Sequence, residues 1–355
     1  MLRLKPFSML KTGLANLCLL VALAACGTTG GPAPMSGGAR QNQQMPEWVS
    51  NLSGYRALRQ ADVIAVGQGN SRQTAEAEAM RQLVFFFEVD VTIDQKVVDS
   101  FRGIEGGAGI SHSAIDSAIA LAAGMSLIGA EIGDAWTDGR GEHFALAVLN
   151  KAGTAKIYSE MIRTNQGIID ELTRMSQAER NTFVGFASFQ LAAVIADMNA
   201  SYSKVLAVIG APPVQGLRRG DDLRRETQEI ARSIPISIIV TNDRQNRIQG
   251  AFARSFADLG FRTGGANPRY VLNVDLVVRP TEHVSNRVFA RLELNANLVD
   301  ISNNSVLIPF NFNQREGHNS ESEAQNMAFT RATDRIGREY GNLLSGYISS
   351  LLQGR

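Results

Sequence analysis

Cys26 is the residue whose surroundings specify a reaction most clearly. It ends an apolar run, 14–25, that follows a start made basic by Arg3, Lys5 and Lys11. The run has about 12 residues, whereas a helix needs about 20 to cross the hydrocarbon core of a bilayer. A short apolar run behind a basic start predicts a secretory signal and not a membrane-spanning helix.

The segment 23–26 reads Leu-Ala-Ala-Cys and resembles the bacterial lipobox. The resemblance implies that signal peptidase cleaves between Ala25 and Cys26, and that acyl chains are attached to the sulfur and the new amino group of Cys26. Two or three acyl chains hold a protein on a membrane in effect permanently, whereas one holds it weakly. The alternative is that Cys26 is a small apolar residue at the end of an uncleaved segment. Cys18 lies in the part that would be removed, so no disulfide is expected within the chain.

Gly27 favours the outer membrane by the same resemblance, because an aspartate after the lipidated cysteine would favour retention at the inner membrane. The expected location is therefore the periplasmic face of the outer membrane. Removal of 1–25 leaves 32 basic and 34 acidic residues, a net charge of −2. This balance argues against nucleic acid as a partner and against charge-driven binding to anionic lipid. Membrane attachment would then depend on the acyl chains of Cys26.

Metal and cofactor chemistry find little support in the sequence. The histidines show no spacing typical of metal ligands. They are His112, His143, His283 and His318. A dinucleotide fingerprint is incomplete, because Arg72 stands where it needs a third glycine after Gly67 and Gly69. We therefore expect no cofactor and no metal, and we interpret the two glycines as a tight turn after a strand.

Catalytic side chains are equally hard to assign. A general acid–base pair of Glu316 and His318 is conceivable, but a polar loop at 315–318 that enters the last helix explains both residues. Asp221 and Asp222 lie among arginines, where mutual solvation is the simpler interpretation. No serine stands in a Gly-x-Ser-x-Gly elbow. The sequence therefore favours a protein that is not an enzyme.

The elements that would position these residues predict an α+β fold. Two small helix-backed, mostly antiparallel sheet domains are joined by a long helical pair. The predicted parts are a signal at 1–25, the lipidated cysteine and a flexible tether at 26–45, a first α+β domain at 46–150, a helical pair at 151–210, a connector at 211–234 and a second α+β domain at 235–355. The tether is rich in Gly, Pro, Ser, Asn and Gln, a composition typical of flexible linkers.

Apolar periodicity predicts the elements of the first domain. The strands are 63–67, 89–93, 128–137 and 142–149. The helix after the first strand has an inner stripe formed by Ala75, Ala79, Leu83 and Phe86. A buried helix is expected at 111–130, and Asp138-Gly139 predicts a two-residue turn with positive φ at both positions.

Similar reasoning covers the rest of the chain. The second helix of the pair should begin at Ser176, which can form a capping box with Glu179, and its apolar part at 183–195 predicts a packed helix or a surface that meets a partner. The strands of the second domain are 236–240, 270–278, 288–299 and 305–312. Its first helix has an inner stripe of Ile248, Phe252, Phe256 and Leu259 and ends at Gly260. Its last helix, 321–352, has an inner stripe of Ala328, Ala332, Ile336, Tyr340, Leu344, Tyr347 and Leu351.

Several short segments of the first domain, taken in order, resemble the Lpp-twenty family of small bacterial surface lipoproteins and the amino-terminal domain of flagellar assembly protein T. They are Pro46-Glu47-Trp48, the strand and turn at 63–69, the alanine-spaced helix at 75–79, and 136–138 with 144–148. The second domain, through 236–240 and Leu259-Gly260-Phe261, resembles the amino-terminal domain of TolB and of lipoprotein activators of penicillin-binding proteins. Both resemblances imply docking onto envelope partners without catalytic residues.

We therefore expect an envelope lipoprotein that acts as a non-catalytic docking or assembly module of a periplasmic or outer-membrane complex. Its expected partners are the membrane, through the acyl chains on Cys26, and envelope proteins, with self-association as a further option. Two other functions stay open, a regulator that activates a peptidoglycan synthase and an envelope hydrolase or small-ligand carrier. For docking, the strands 236–240 and 305–312 could each accept a partner strand, and Pro309 indicates that the latter lies at a sheet edge.

Overall fold

The computed structural model describes residues 40–41, 44–88, 127–243, 245–265, 267–284 and 287–351. All of them belong to one compact unit, Ala39–Arg355. The predicted signal, Ala25, Cys26 and most of the tether lie outside the described residues. So do the predicted strand at 89–93, His112 and nearly all of the predicted helix at 111–130.

The first sheet has four described strands, β1 (Arg40–Gln41), β2 (Asp62–Gly69), β3 (Ala130–Thr137) and β4 (His143–Asn150). They lie in the order β1-β3-β4-β2, with β1 parallel to β3 and the other neighbours antiparallel. The helices that accompany this sheet are α1 (Glu47–Ser50), α2 (Leu52–Leu58) and α3 (Arg72–Glu88). Helix α3 packs on β2 and β4.

The buried stripe of α3 confirms most of the prediction and corrects one residue. Ala75, Ala79 and Leu83 are fully buried. Phe86, however, is 59% exposed, and Phe87 takes the next core position. An α-helix has about 3.6 residues per turn, so a line of every fourth residue winds slowly around it. The buried stripe follows that winding line across a twisted sheet, and Phe86 lies off the line.

The connection between β3 and β4 differs from the predicted two-residue turn. It spans 138–142, where the N–H of Asp138 donates to the carbonyl of Glu142 and the N–H of Gly141 donates to the carbonyl of Asp138. Within this loop Gly141 alone has a positive φ, 83°. The Asp138 carboxylate accepts hydrogen bonds from the N–H groups of Arg140 and Glu142, each at 2.8 Å. The aspartate therefore closes a longer loop, and the residue that must be glycine is Gly141.

The helices that follow in sequence are α4 (Lys151–Thr173), α5 (Gln177–Arg180), α6 (Phe183–Val208) and α7 (Gly220–Ser233). The capping box of Ser176 and Glu179 is confirmed, but it starts only the four-residue α5. Helix α6 begins separately at Thr182, whose hydroxyl accepts from the N–H of Gly185 at 3.0 Å. The predicted second helix of the pair is therefore two helices, each with its own N-terminal cap.

Among the described helices, α6 alone is long and apolar enough to cross a membrane by length and composition. Of its most apolar stretch, 72% is buried inside the protein. Helices α4 and α7 pack against it, and the amide of Asn165 donates to Oδ1 of Asn199 at 2.9 Å in the buried α4–α6 contact. The interpretation of 183–195 as part of a packed helix is confirmed.

The second sheet contains β5 (Ile236–Thr241), β6 (Tyr270–Val284), β7 (Arg287–Asp300) and β8 (Ser305–His318), in that spatial order. The β5–β6 pair is parallel and the other two pairs are antiparallel. Its helices are α8 (Arg247–Asp258) and a last helix made of α9 (Glu321–Arg335), a π-helical turn (Ile336–Tyr340) and α10 (Gly341–Ser350). Sheets backed by helices in both halves confirm the α+β class.

Strand β8 is longer than predicted. The residues 315–318 belong to it and pair with β7 up to the contact of His318 with Val288. Their interpretation as a loop was wrong, because this end of β8 is polar on both faces. Ala290 and Val288, which pair with Glu316 and His318, are buried, whereas none of residues 315–318 is. This end of β8 therefore lacks the apolar alternation that would have revealed it.

The last helix buries the predicted stripe up to Leu344, after which Ile348 takes the core position in place of Tyr347 and Leu351. Every fourth residue is buried from Ala324 onward. A strict step of four drifts around an ordinary α-helix. The wider π-helical turn at 336–340 offsets part of that drift and keeps the stripe on the sheet.

Aromatic residues connect the helical layer to both sheets. The rings of Phe183 and Tyr270 stack with their centroids 4.0 Å apart, and the N–H of Phe183 donates to the Tyr270 hydroxyl at 3.2 Å. Toward the first sheet, the hydroxyl of Tyr158 in α4 accepts from the N–H of Ile128, just before β3, at 3.3 Å. One continuous apolar core therefore extends from β2 to α10. The division of the chain into separate domains at 150 and 234 stays a prediction.

Candidate interaction surfaces

The outer face of the first sheet, opposite α3, is covered by α1 and α2. Trp48 of α1 is 3% exposed and packs in a cluster with Ile64, Trp136 and Leu146. Its indole N–H donates to Oδ2 of Asp134 at 3.2 Å. Both faces of this sheet therefore contact protein.

The outer face of the second sheet, opposite α8 and α9, presents side chains from all four strands in cross-strand rows. The first row is Ser237, Val271, Val299 and Val306, the second is Ile239, Asn273, Asn297 and Pro309, and the third is Thr241, Asp275, Asn295 and Asn311. We name these twelve residues the amide face. Nine of them are exposed, Ser237 and Val299 are half-buried, and Val271 is buried.

The composition of the amide face differs from that of an ordinary protein surface. Asp275 is the one charged residue among the twelve, whereas a typical soluble surface is about 25–35% charged. The four asparagine side chains have no hydrogen-bond partner among the described residues. Depletion of charge is typical of the centre of protein–protein interfaces. The amides offer a partner both donors and acceptors.

Apolar side chains border the amides on this face. Val306 is 56% exposed and Ile239 is 52% exposed, whereas Val271 and Val299, which lie between them in the adjacent strands, are buried and half-buried. With a strand spacing of about 4.8 Å and a rise of about 3.3 Å per residue, three rows on four strands cover on the order of 400 Å².

The two edges of the second sheet are not equally open. At the β5 edge, the carbonyl of Ile236 accepts from the N–H of Gly264 at 2.9 Å, and the carbonyl of Ile238 accepts from the side-chain amide of Gln249 at 3.1 Å. The β8 edge has no such cover among the described residues, and Pro309 lies there, as its sequence indicated. Because proline lacks an N–H, it shortens the run of backbone groups that a partner strand could use.

The conceivable pair of Glu316 and His318 does not form. Nδ1 of His318 lies 2.8 Å from Oε2 of Glu323, while Oε1 of Glu316 accepts from the amide of Gln314 at 2.7 Å. Oε2 of Glu323 also accepts from the hydroxyl of Ser320 at 2.7 Å, and this bond, together with His318, lowers the pKa of Glu323. Ser320 caps α9. Its hydroxyl donates to the carboxylate and not to the imidazole, so these three residues do not have the serine–histidine–acid order of a catalytic triad.

The remaining candidates have structural partners. Asp221 pairs with Arg224 at 2.6 Å and Asp222 pairs with Arg225, both along the exposed side of α7. A hydrogen bond from Arg224 lowers the pKa of Asp221. In each pair the two residues are three positions, or about one helical turn, apart. The pairs agree with the interpretation that these aspartates are solvated by neighbouring arginines.

Gly67 has a packing role instead of a place in a nucleotide fingerprint. A Cβ at this position would lie 2.1 Å from the backbone nitrogen of Ala79 and 2.2 Å from the carbonyl oxygen of Ala75. Glycine is therefore required for the close approach of α3 to β2.

The imidazole of His143 likewise has a local partner, the hydroxyl of Thr137 at 2.9 Å. Among the described residues, no three His, Cys, Asp or Glu side chains are grouped so that they could hold a metal ion.

The amide face was missed by the sequence reasoning, although a signal was present. The strands were recognised from alternation of apolar and polar residues. What distinguishes this face is that its polar positions hold asparagine in place of charged residues, as in Asn273, Asn295, Asn297 and Asn311. Alternation alone treats every polar residue alike.

No family model matches this sequence, and no curated protein matches it. Solved structures that it is similar to include a secreted protein of Helicobacter pylori, which is 12% identical, with coverage of 78% of this chain and 98% of that one and a TM-score of 0.39. A minor lipoprotein of Acinetobacter baumannii is 16% identical, with coverage of 31% and 94% and a TM-score of 0.26. A lipoprotein of Neisseria meningitidis is 18% identical, with coverage of 30% and 100% and a TM-score of 0.21. Likeness at this level assigns neither a fold nor a function.

Proposed function

We propose that this chain is an exported lipoprotein, held at the periplasmic face of the outer membrane by acyl chains on Cys26, that acts there without catalysis as a docking or assembly module. One observation carries the docking role: the amide face is mostly exposed and nearly uncharged, and it presents the apolar side chains of Val306 and Ile239. A partner that covers it would bury Val306 and Ile239 and supply hydrogen bonds to the four asparagine amides.

The size of the amide face bears on how a partner would bind. A standard interface buries about 800 Å² on each partner, roughly twice the area of this face. The partner must therefore reach beyond it. The β8 edge adjoins the face at Val306, Pro309 and Asn311, so a partner strand added there would enlarge the interface.

The two sequence resemblances support the same role. Segment 46–150 resembles Lpp-twenty lipoproteins and the amino-terminal domain of flagellar assembly protein T, and 235–355 resembles the TolB and penicillin-binding-protein activator type. The runner-up function, activation of a peptidoglycan synthase, differs from assembly in the identity of the partner and not in the surface used. An envelope hydrolase or small-ligand carrier ranks below both.

Crosslinking in cells, followed by identification of the captured protein, tests the docking role. The double variant Val306→Glu, Asn297→Glu places two like charges, which cannot pair with each other, in the amide face. We expect capture of the partner to fall by at least about tenfold, because a buried unpaired charge costs several kcal/mol. The free energy of unfolding should change by less than about 0.5 kcal/mol, since both residues are exposed.

A matched control exchanges two exposed charges on α4, Lys156→Glu with Glu160→Lys, and should capture the partner as well as the wild type does. Equal capture by the amide-face variant and this control would contradict docking through the amide face. Recovery of a peptidoglycan synthase in place of a structural complex would favour the runner-up.

Metabolic labelling with a fatty acid tests the anchor separately. Label should enter the wild type and be absent from Cys26→Ser, because the thiol is the atom that is acylated in the lipobox resemblance. The variant should also move from the membrane fraction to the soluble fraction. Label that persists in Cys26→Ser would contradict the anchor and leave the docking surface untouched.

A further inference from the structure

A second candidate site lies where β5 ends and β6 continues. The last pair between the two strands joins Thr241 to Asp275. Strand β6 then continues to Val284, and no strand among the described residues pairs with it on that side. A cleft of about 810 Å³ occupies the place that an extension of β5 would take. Its lining includes Asn242, Arg247, Val278, Gln325, Asn326 and Phe329.

The backbone of β6 presents unpaired groups to this cleft. The carbonyl of Leu276 accepts from the side-chain amide of Asn242 at 3.0 Å, and its N–H donates to the hydroxyl of Thr241 at 3.3 Å. Both groups of Leu276 therefore point toward the line of β5. Backbone direction repeats every second residue, so the N–H and the carbonyl of Val278 point the same way. Pro280, the next residue in this phase, has no N–H to offer.

Arg247 supplies positive charge to the cleft. Its guanidinium lies 5.2 Å from the centroid of the Phe329 ring and donates to Oδ1 of Asn326 at 3.3 Å and to the hydroxyl of Thr330 at 3.0 Å. These partners are neutral, and among the described residues no carboxylate lies within ion-pair distance of it. The carboxylate of Asp243 instead accepts from the N–H groups that begin α8.

The charge of the cleft is positive as a whole. Arg279 also lines it but is paired with Glu293 at 2.8 Å, and no acidic side chain is among the lining residues. Arg247 uses two of its five N–H groups on Asn326 and Thr330, so three remain, and two of these can donate in parallel to a carboxylate.

We infer that this cleft binds the free carboxyl terminus of a short peptide. The peptide adds to β6 beside Val278, in line with β5, and places its carboxylate on Arg247. A chain end fits better than a continuous strand, because Asn242 follows β5 directly at one end of the line, and Pro280 with the register shift between Arg279 and Glu282 interrupts the N–H groups at the other. Val278 and Phe329 give the cleft apolar surface, so an apolar side chain near the peptide's end is favoured. The site is separate from the amide face and does not depend on it.

Binding of labelled tetrapeptides to the full-length protein in detergent micelles tests the inference. The probes are Ala-Ala-Val-Leu as the free acid, the same peptide as its amide, and Ala-Asp-Val-Leu amide, whose carboxylate is internal. Fluorescence anisotropy should show saturable binding of the free acid at concentrations up to about 1 mM, and at least about tenfold weaker binding of both amides. No saturable binding of the free acid, or equal binding of acid and amide, overturns the inference. Equal binding of the internal carboxylate also overturns it, because the chain end would not be recognised.

Variants of Arg247 locate the bound carboxylate. Arg247→Gln should weaken free-acid binding by at least about tenfold, and Arg247→Lys by several-fold, because an ammonium group lacks the planar fork. Arg254→Gln, which removes an exposed arginine of the same helix outside the cleft, should bind as the wild type does. Equal affinity of the Arg247→Gln and Arg254→Gln variants overturns the site. The comparison of acid and amide on the wild type decides the inference even if a variant fails to fold.

Discussion

The two sheets of this protein differ in what covers their outer faces. In the first sheet, the short helices α1 and α2 place Trp48 against the face opposite α3. In the second sheet, most residues of the corresponding face are exposed, and they include asparagine, valine and isoleucine. The chain therefore covers the outer face of the first sheet with its own helices, whereas the outer face of the second sheet is mostly exposed.

This difference indicates that the outer face of the first sheet contributes to stability, whereas that of the second is suited to binding a partner. Burial of an aromatic cluster on the first sheet adds to the stability of the fold, at about 25 cal/mol for each Å² of apolar surface removed from water. On the outer face of the second sheet Val271 is buried, but Val306 and Ile239 are more than half exposed, so less apolar surface is removed from water there. Amides keep that face soluble without the repulsion and desolvation that charges would bring to an interface. The open sheet is therefore the one that we expect to bind a partner.

The largest expected effect is on the covered sheet. Trp48→Ala should lower the free energy of unfolding by about 3–5 kcal/mol, because it empties a buried aromatic site and leaves Asp134 without its indole donor. Urea unfolding followed by circular dichroism measures the change. Leu58→Ala, at a residue of α2 that is 77% exposed, should change it by less than about 0.5 kcal/mol. Equal stability of the two variants would mean that α1 does not cover the sheet in solution.

A smaller effect is expected beside the open sheet, at Asp300. Burial would raise the pKa of this carboxyl, but hydrogen bonds from the hydroxyl and N–H of Ser302 and the nearby charge of Arg269 outweigh it, so the pKa lies below its ordinary value. A lowered pKa means that the folded state favours the ionised form. The stability gained is present above the ordinary Asp pKa of about 3.9 and is lost as the pH falls through the lowered value.

Asp300→Asn should therefore lower the free energy of unfolding by about 1 kcal/mol at pH 7. The difference between variant and wild type should shrink as the pH falls below about 4. Unfolding curves recorded from pH 7 down to pH 2 measure it. A difference that stays constant over this range would show that the charge of Asp300 does not stabilise the end of β7.

Local patterns in the sequence were enough to predict the α+β class and most of the elements. The stripes of α3 and of the last helix follow from spacing, and the cap at Ser176 follows from residue types three positions apart. These features depend on neighbours within a turn or two of the chain. The errors at Phe86 and at 315–318 arise where the packing partner decides, since sheet twist and strand length are set by residues far away in sequence.

The candidate surfaces were less predictable for the same reason. The amide face exists because four strands bring Ile239, Asn273, Asn297 and Pro309 into one row. Sequence reasoning identified the two edge strands but not the register between them, and a shift of one residue would move every one of these side chains to the other face. In the sequence, Arg247 is one arginine at the start of a helix, and nothing marks it as a binding residue. Its role depends on the cleft beside it, which exists because β5 ends before β6 does.

The most direct test of the open-sheet claim is site-specific photo-crosslinking in cells. A photoreactive amino acid replaces Asn297 on the amide face, and in a second strain it replaces Glu131, an exposed residue of the first sheet. We predict one discrete crosslinked partner from position 297 and none from position 131. Crosslinks from position 131 alone, or the same products from both positions, would contradict the assignment of the open sheet as the docking surface.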